Sequence, residues 1–138
     1  MTYALTVTVT TPFTATVENV RGALQTQGFG ILTEIDINAT FTAKLGSEPA
    51  AQIGDYVILG ACNPPLAHQA LTADPGIGLL LPCNVVVRRA SGATETTVQA
   101  IDAATMVQLS AEPDIAAVAA QADTKLRAAL AALPGLAS

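Results

Sequence analysis

The chain opens on "YALTVTVTT", where Tyr3, Leu5, Val7 and Val9 alternate with Thr6, Thr8 and Thr10. A period of two with threonines on one side predicts a strand buried on one face only. Such strands fit an antiparallel or mixed sheet with helices packed on a single face. The period then changes. Phe13, Val17, Val20 and Leu24 recur at helical spacing over residues 12–27, the apolar face of an amphipathic helix. Thr11 is placed to cap it, Pro12 to be its first residue, and Gly28 to end it in a left-handed conformation. "FGILTEIDI" (29–37) resumes strand character, with Ile31, Ile35 and Ile37 on one side and Leu32, Glu34 and Asp36 on the other.

"NATFTAKLG" (38–46) predicts a short helix, capped by Asn38 and ended by Gly46, and Pro49 and Gly54 then bracket a loop. "DYVILGAC" (55–62) is a continuous apolar run, as a central strand buried on both faces would show. "NPPLAHQALTADPG" opens on Asn63-Pro64 and closes before Pro75-Gly76, which predicts a helix of roughly ten residues. Strands follow at "CNVVVRR" and "TTVQAID", joined by "ASGATE", whose Ser91-Gly92 is a hairpin signal. After a connecting stretch around "AATMVQL", Ser110 is placed to cap a last helix over about 111–133. Its stripe of Ile115, Ala119, Ala122, Leu126, Ala129 and Leu133 is rich in a strong helix former that permits close helix approach.

With 138 residues, 51% hydrophobic and 12% charged, the chain can bury a core without disulfides or metals. Intrinsic disorder is excluded on composition. No internal repeat and no long linker divides it, so residues 1–138 read as one domain. The net charge is −5, with six Lys and Arg scattered along the chain. A basic face for phosphates is therefore missing, which argues against nucleic acid and anionic membranes as partners. The Ala-rich C-terminus is interrupted by Asp114, Asp123, Lys125 and Arg127, which argues against a membrane span. The N-terminus lacks the features of a signal peptide. A cytoplasmic location is expected, where cysteines are ordinarily thiols.

The chemistry concentrates in two stretches, "LGACNPPLAHQAL" and "LLLPCNVVVRR", which hold both cysteines, each followed by asparagine. Cys62 ends one strand just before a helix start, where the helix dipole and unpaired N–H groups would favour thiolate, whereas apolar burial would oppose it. Cys83 begins the next strand. If the two strands are antiparallel, both Cys-Asn turns meet at one sheet edge. If they are parallel, the cysteines lie at opposite edges. Three readings stand side by side: buried small hydrophobes with shaped turns, a ligand pocket lined by both turns, or thiol redox or metal chemistry. Two cysteines and His68 give three metal ligands at most, without Cys-x-x-Cys spacing, so no metal or cofactor is assigned. A Cys62–His68 nucleophilic pair has no third member, and His68 reads as a surface or dimer-contact residue. Glu34 with Asp36, and Arg88-Arg89, read as solvated positions. "GFG" and "PGIG" lack the spacing and lysine of a phosphate loop.

"QGFGILTEIDI", "LGACNPPLAHQAL", "LLLPCNVVV", "AID" and the Ala-rich C-terminal helix, in that order, resemble the prokaryotic family called domain of unknown function 302 along essentially the whole chain. The resemblance implies an α+β fold with a largely antiparallel sheet, a long C-terminal helix and a homodimer. It brings no established reaction, and His68 stands where it would lead one to expect a tyrosine or another bulky residue, against a catalytic role there. The implied fold favours convergence of the two turns. The expectation is thus a two-layer α+β sandwich: about five strands in a mixed, mostly antiparallel sheet. The Ala stripe and one-sided sheet offer apolar surface for pairing. Its expected role is non-catalytic binding of a small ligand or partner by Cys62, Asn63, Pro64, Pro82, Cys83 and Asn84. The alternative is a thiol-based redox or metal-handling protein using Cys62 and Cys83.

Overall fold

The computed structural model describes residues 3–137. Five strands, β1 (Ala4–Val9), β2 (Gly30–Asp36), β3 (Asp55–Cys62), β4 (Cys83–Arg89) and β5 (Thr96–Ile101), form one sheet in the order β1-β5-β4-β3-β2. Every neighbouring pair is antiparallel, so the sheet is not mixed. Among the described residues six α-helices accompany it: α1 (Phe13–Thr26), α2 (Ile37–Leu45), α3 (Ser47–Ile53), α4 (Pro64–Ala73), α5 (Ala104–Leu109) and α6 (Asp114–Ala131), with a 3₁₀ turn at Pro75–Leu80.

The alternation that opens the chain sets the layers. Leu5 and Val9 of β1 point the same way as Val57 and Leu59, Val85 and Val87, and Val98 and Ala100, all buried. Onto this face pack Val17, Val20 and Leu24 of α1, together with Leu126, Ala129 and Leu130 of α6. On the other face Thr6 pairs with Gln99, whose side-chain amide donates to the Thr6 hydroxyl at 3.2 Å, and Arg88 Nε donates to Gln99 Oε1 at 3.1 Å. The architecture is a two-layer α+β sandwich, as the pattern predicts.

All six residues of the α6 stripe, from Ile115 to Leu133, are buried. That stripe is consumed inside the chain by α1, α4 and α5, so it is no surface for pairing with another copy. β3 is buried on one side and only half-covered on the other, at Tyr56 and Ile58. Its continuous apolar run reflects an aromatic and a β-branched residue on the open face, Tyr56 and Ile58, not a second helix layer.

β2 departs further. Ile31 pairs with Ala61 and Glu34 with Leu59, while Ile35 pairs with Ile58 on the opposite face, because the register shifts between Ile31 and Thr33. The extra residue is Leu32, left 66% exposed, and a one-residue slip reverses which side chains face the core. Ile31 and Ile35 therefore do not share a side. Ile37 begins α2, and Asp36, not Asn38, caps that helix, its Oδ1 accepting from Ala39 N–H at 2.9 Å. Asn38 Nδ2 instead donates to the carbonyls of Ala50 and Gly54, tying α2 to the end of α3. Residues 47–53, expected as loop, are α3: Pro49 falls within its first turn, where a missing N–H costs nothing. The first helix starts at Phe13 without a side-chain cap, and Gly28 takes the left-handed φ of 85° that ends it. Ser110 does not cap α6. Its hydroxyl donates to Asp74 Oδ2 at 2.7 Å and accepts from Glu112 N–H.

Candidate functional site

The antiparallel pairing of β3 with β4 sets Ala61 opposite Cys83. The end of one strand and the start of the other thus lie at the same edge, and the two Cys-Asn turns converge. Asn63 fixes the passage from β3 into α4. Its Oδ1 accepts from Leu66 N–H at 3.3 Å, and its Nδ2 reaches the Gln27 carbonyl at 3.5 Å, bridging to the end of α1. Gly60 permits the approach of the other turn. A Cβ there would meet Pro82 Cγ at 2.8 Å and overlap the Thr33 hydroxyl.

Between these turns, α4 and α6 lies a partly open cavity of about 40 Å³. Cys62, Asn63, Pro82 and Cys83 all line it. Two of the six residues expected at the site do not. Pro64 is exposed as the first residue of α4, where its ring serves the helix start. Asn84 is exposed, and it lines a separate depression on the open sheet face with Tyr56, Val86 and Gln99. Strand alternation explains this: when Cys83 points under the helices, its neighbour points away.

The remaining wall is apolar, with Phe29, Leu66, Ala70, Met106 and Val118 among its residues. Met106 is the notable residue missing from the sequence reading. It sits in α5, six residues long, too short for periodicity to reveal a buried face. Its one usable signal was being a methionine inside the stretch treated as a connection.

The start of α4 is poor in free donors. The first two positions of α4 are Pro64 and Pro65, which carry no N–H. Leu66 N–H is taken by Asn63 Oδ1 and Ala67 N–H by the Asn63 carbonyl. The first turn of α4 is therefore left without a free backbone N–H facing the Cys62 turn. At Cys83, burial first and the charge of Cys62 second push the thiol from 9.0 up to about 11, so it stays protonated at neutral pH. Both cysteines are free. Among the described residues no three His, Cys, Asp or Glu side chains come together as a metal site.

The other candidates disperse. His68 is exposed on α4, away from the cavity wall. Glu34 pairs with Arg21 of α1 and Asp36 caps α2, so they form no carboxylate pair. Arg89 closes the β4–β5 hairpin, donating to the Ala93 carbonyl and the Thr96 hydroxyl. Among the described residues no helix is long and apolar enough to cross a membrane.

Comparison with known proteins agrees with this architecture. The crystal structure of an uncharacterized conserved DUF302 protein from Bacillus stearothermophilus superposes with a TM-score of 0.83 at 27% sequence identity. The match covers 95% of this chain and 98% of that one. No curated protein matches the chain. The family described as domain of unknown function DUF302 matches residues 5–133, nearly the whole fold and both Cys-Asn turns. The chain belongs to the DUF302 family.

Proposed function

We propose that this chain acts as a single, non-catalytic cytoplasmic domain, paired as a homodimer, that binds a small ligand in the cavity between the Cys62-Asn63 and Pro82-Cys83 turns. The observation that carries the reading is the meeting of four chemically distinctive residues from two separate turns on one partly open cavity. Cys83 held as a thiol and the absence of a neighbouring base on the wall speak for binding over catalysis. The volume of about 40 Å³ is far below the several hundred of an ordinary organic-ligand pocket. The occupant is therefore an ion or a group of a few heavy atoms. For pairing, the open sheet face supplies Ile35, Ile58 and Val86 as adjacent apolar positions.

Amide NMR with xenon and dimethyl sulfide as probes tests the site. The expected result is saturable shifts at Phe29, Cys62, Cys83 and Met106. In Ala67→Leu, which fills the wall from α4, those shifts disappear while the rest of the spectrum is retained. Shifts confined to the open sheet face would overturn the assignment.

A further inference from the structure

Cys62, Cys83 and Met106 belong to β3, β4 and α5, and all three line the same small cavity. The chain has two cysteines and two methionines in all, so three of its four sulfur-bearing residues line one cavity. Cysteine and methionine also pack as hydrophobes, but leucine, valine and alanine fill the neighbouring core, and here the sulfur-bearing residues gather at one wall.

The donor type decides what such a site takes. No carboxylate or imidazole lines the cavity, which removes the hard cations that need oxygen ligands. The one polar side chain, Asn63, already spends its oxygen on Leu66 N–H. Zinc is held by thiolate, imidazole and carboxylate ligands, of which the wall supplies only the two thiols. Thiols and a thioether are soft ligands, and they select Cu(I). A bare monovalent ion also fits a space of about 40 Å³.

We propose that the cavity is a site for one soft monovalent metal ion, Cu(I) or its redox-inert analogue Ag(I), held by the sulfurs of Cys62, Cys83 and Met106. This rests on the cavity being a ligand site, and it names the ligand class. The half-buried Cys62 gives the ion its way in, while Cys83 and Met106, 7% and 5% exposed, close the far side. On binding, each coordinating thiol gives its proton to solvent and the metal remains in the +1 state. No oxidant or reductant enters.

Anaerobic titration of the full chain with Cu(I), in competition with bicinchoninate, is the primary test. One ion per chain is expected. Cys62→Ser combined with Cys83→Ser should weaken binding roughly 100-fold or more, and Met106→Leu about 10-fold. Met106→Leu nearly conserves volume and so keeps the fold. A measurement on the unmutated chain avoids any folding defect: one equivalent of Ag(I) should shift the Met106 methyl resonance. An unmoved methyl, or Cu(I) affinity unchanged in the cysteine variant, overturns the proposal. If Ag(I) leaves the site silent while xenon still shifts the cavity amides, the metal assignment falls and the ligand site stands. Silence with both removes both.

Discussion

Two hydrophobic clusters share helix α6, and they are built differently. The first lies between the sheet, α1 and the C-terminal half of α6, and the second between α4, α5, the 3₁₀ turn and the N-terminal half of α6. Alanine supplies three of seventeen residues in the first and four of nine in the second. Side chains of Val, Leu and Phe interdigitate and fill space, whereas a cluster rich in alanine brings backbones close but leaves gaps wherever the helices diverge. The cavity sits at the seam, with Phe29 and Ala61 from one cluster and Leu66, Ala70, Met106 and Ala122 from the other. One cluster thus fills its space, and the border of the other leaves a cavity.

The largest effect should separate the two. Leu126 is fully buried in the first cluster and Leu66 is 6% exposed beside the cavity. Leu126→Ala should cost about 3–4 kcal/mol, as a truncation in a filled core that cannot collapse. Leu66 already faces empty space and has fewer contacts to lose, so Leu66→Ala should cost about 2 kcal/mol. Urea denaturation of both variants measures the difference. Equal losses would show the second cluster to be as tightly packed as the first.

The next effect probes how dry the seam is. Burial raises the Cys83 thiol from 9.0 to about 11, so the folded chain holds this proton longer than the unfolded chain does. The associated stability is fully present below pH 9.0 and is lost as pH rises through about 11. Its size is on the order of 2 kcal/mol. Comparing the pH dependence of unfolding in wild type and Cys83→Ser cancels the tyrosines and lysines that titrate nearby. Identical profiles would mean that water reaches Cys83 and that the seam is not apolar.

These contrasts mark what the sequence discloses. The filled cluster is legible because its residues repeat: Val17, Val20 and Leu24, the C-terminal half of the α6 stripe, and the alternation of β1 each belong to a period long enough to read. The meeting of the two Cys-Asn turns is legible through one topological condition, antiparallel pairing of β3 with β4, which the resemblance to a family favours. What escapes is local and aperiodic. The bulge at Leu32 is one residue, yet it moves Ile35 to the open face. Asp36 displaces Asn38 as a cap because the strand ends at Asp36 and the helix begins at Ile37, one residue earlier than alternation suggests. Met106 reaches the cavity from a single helical turn and a half, where no pattern can form. Asn84 shows the converse error: adjacency in sequence to Cys83 implied a shared site, but a strand sends neighbours to opposite faces.

The smallest contrast is the most direct, because it holds the residue and its burial fixed. Ala70 and Ala129 are both 2% exposed, and both lie within helices, α4 and α6 respectively. Ala→Val at either place carries a similar propensity penalty, a few tenths of a kcal/mol for restricting a β-branched side chain. That part cancels between the two variants. Ala129 sits among Leu126, Leu130 and the sheet, where two extra carbons must displace neighbours at about 1–3 kcal/mol. Ala70 borders the cavity, where the same carbons enter vacant space and gain contacts. Ala129→Val should therefore be destabilised by about 1 kcal/mol or more relative to Ala70→Val, and only Ala70→Val should weaken xenon binding. A reversed order of stability would mean that the space beside Ala70 is already filled, and the comparison between the clusters would fail with it.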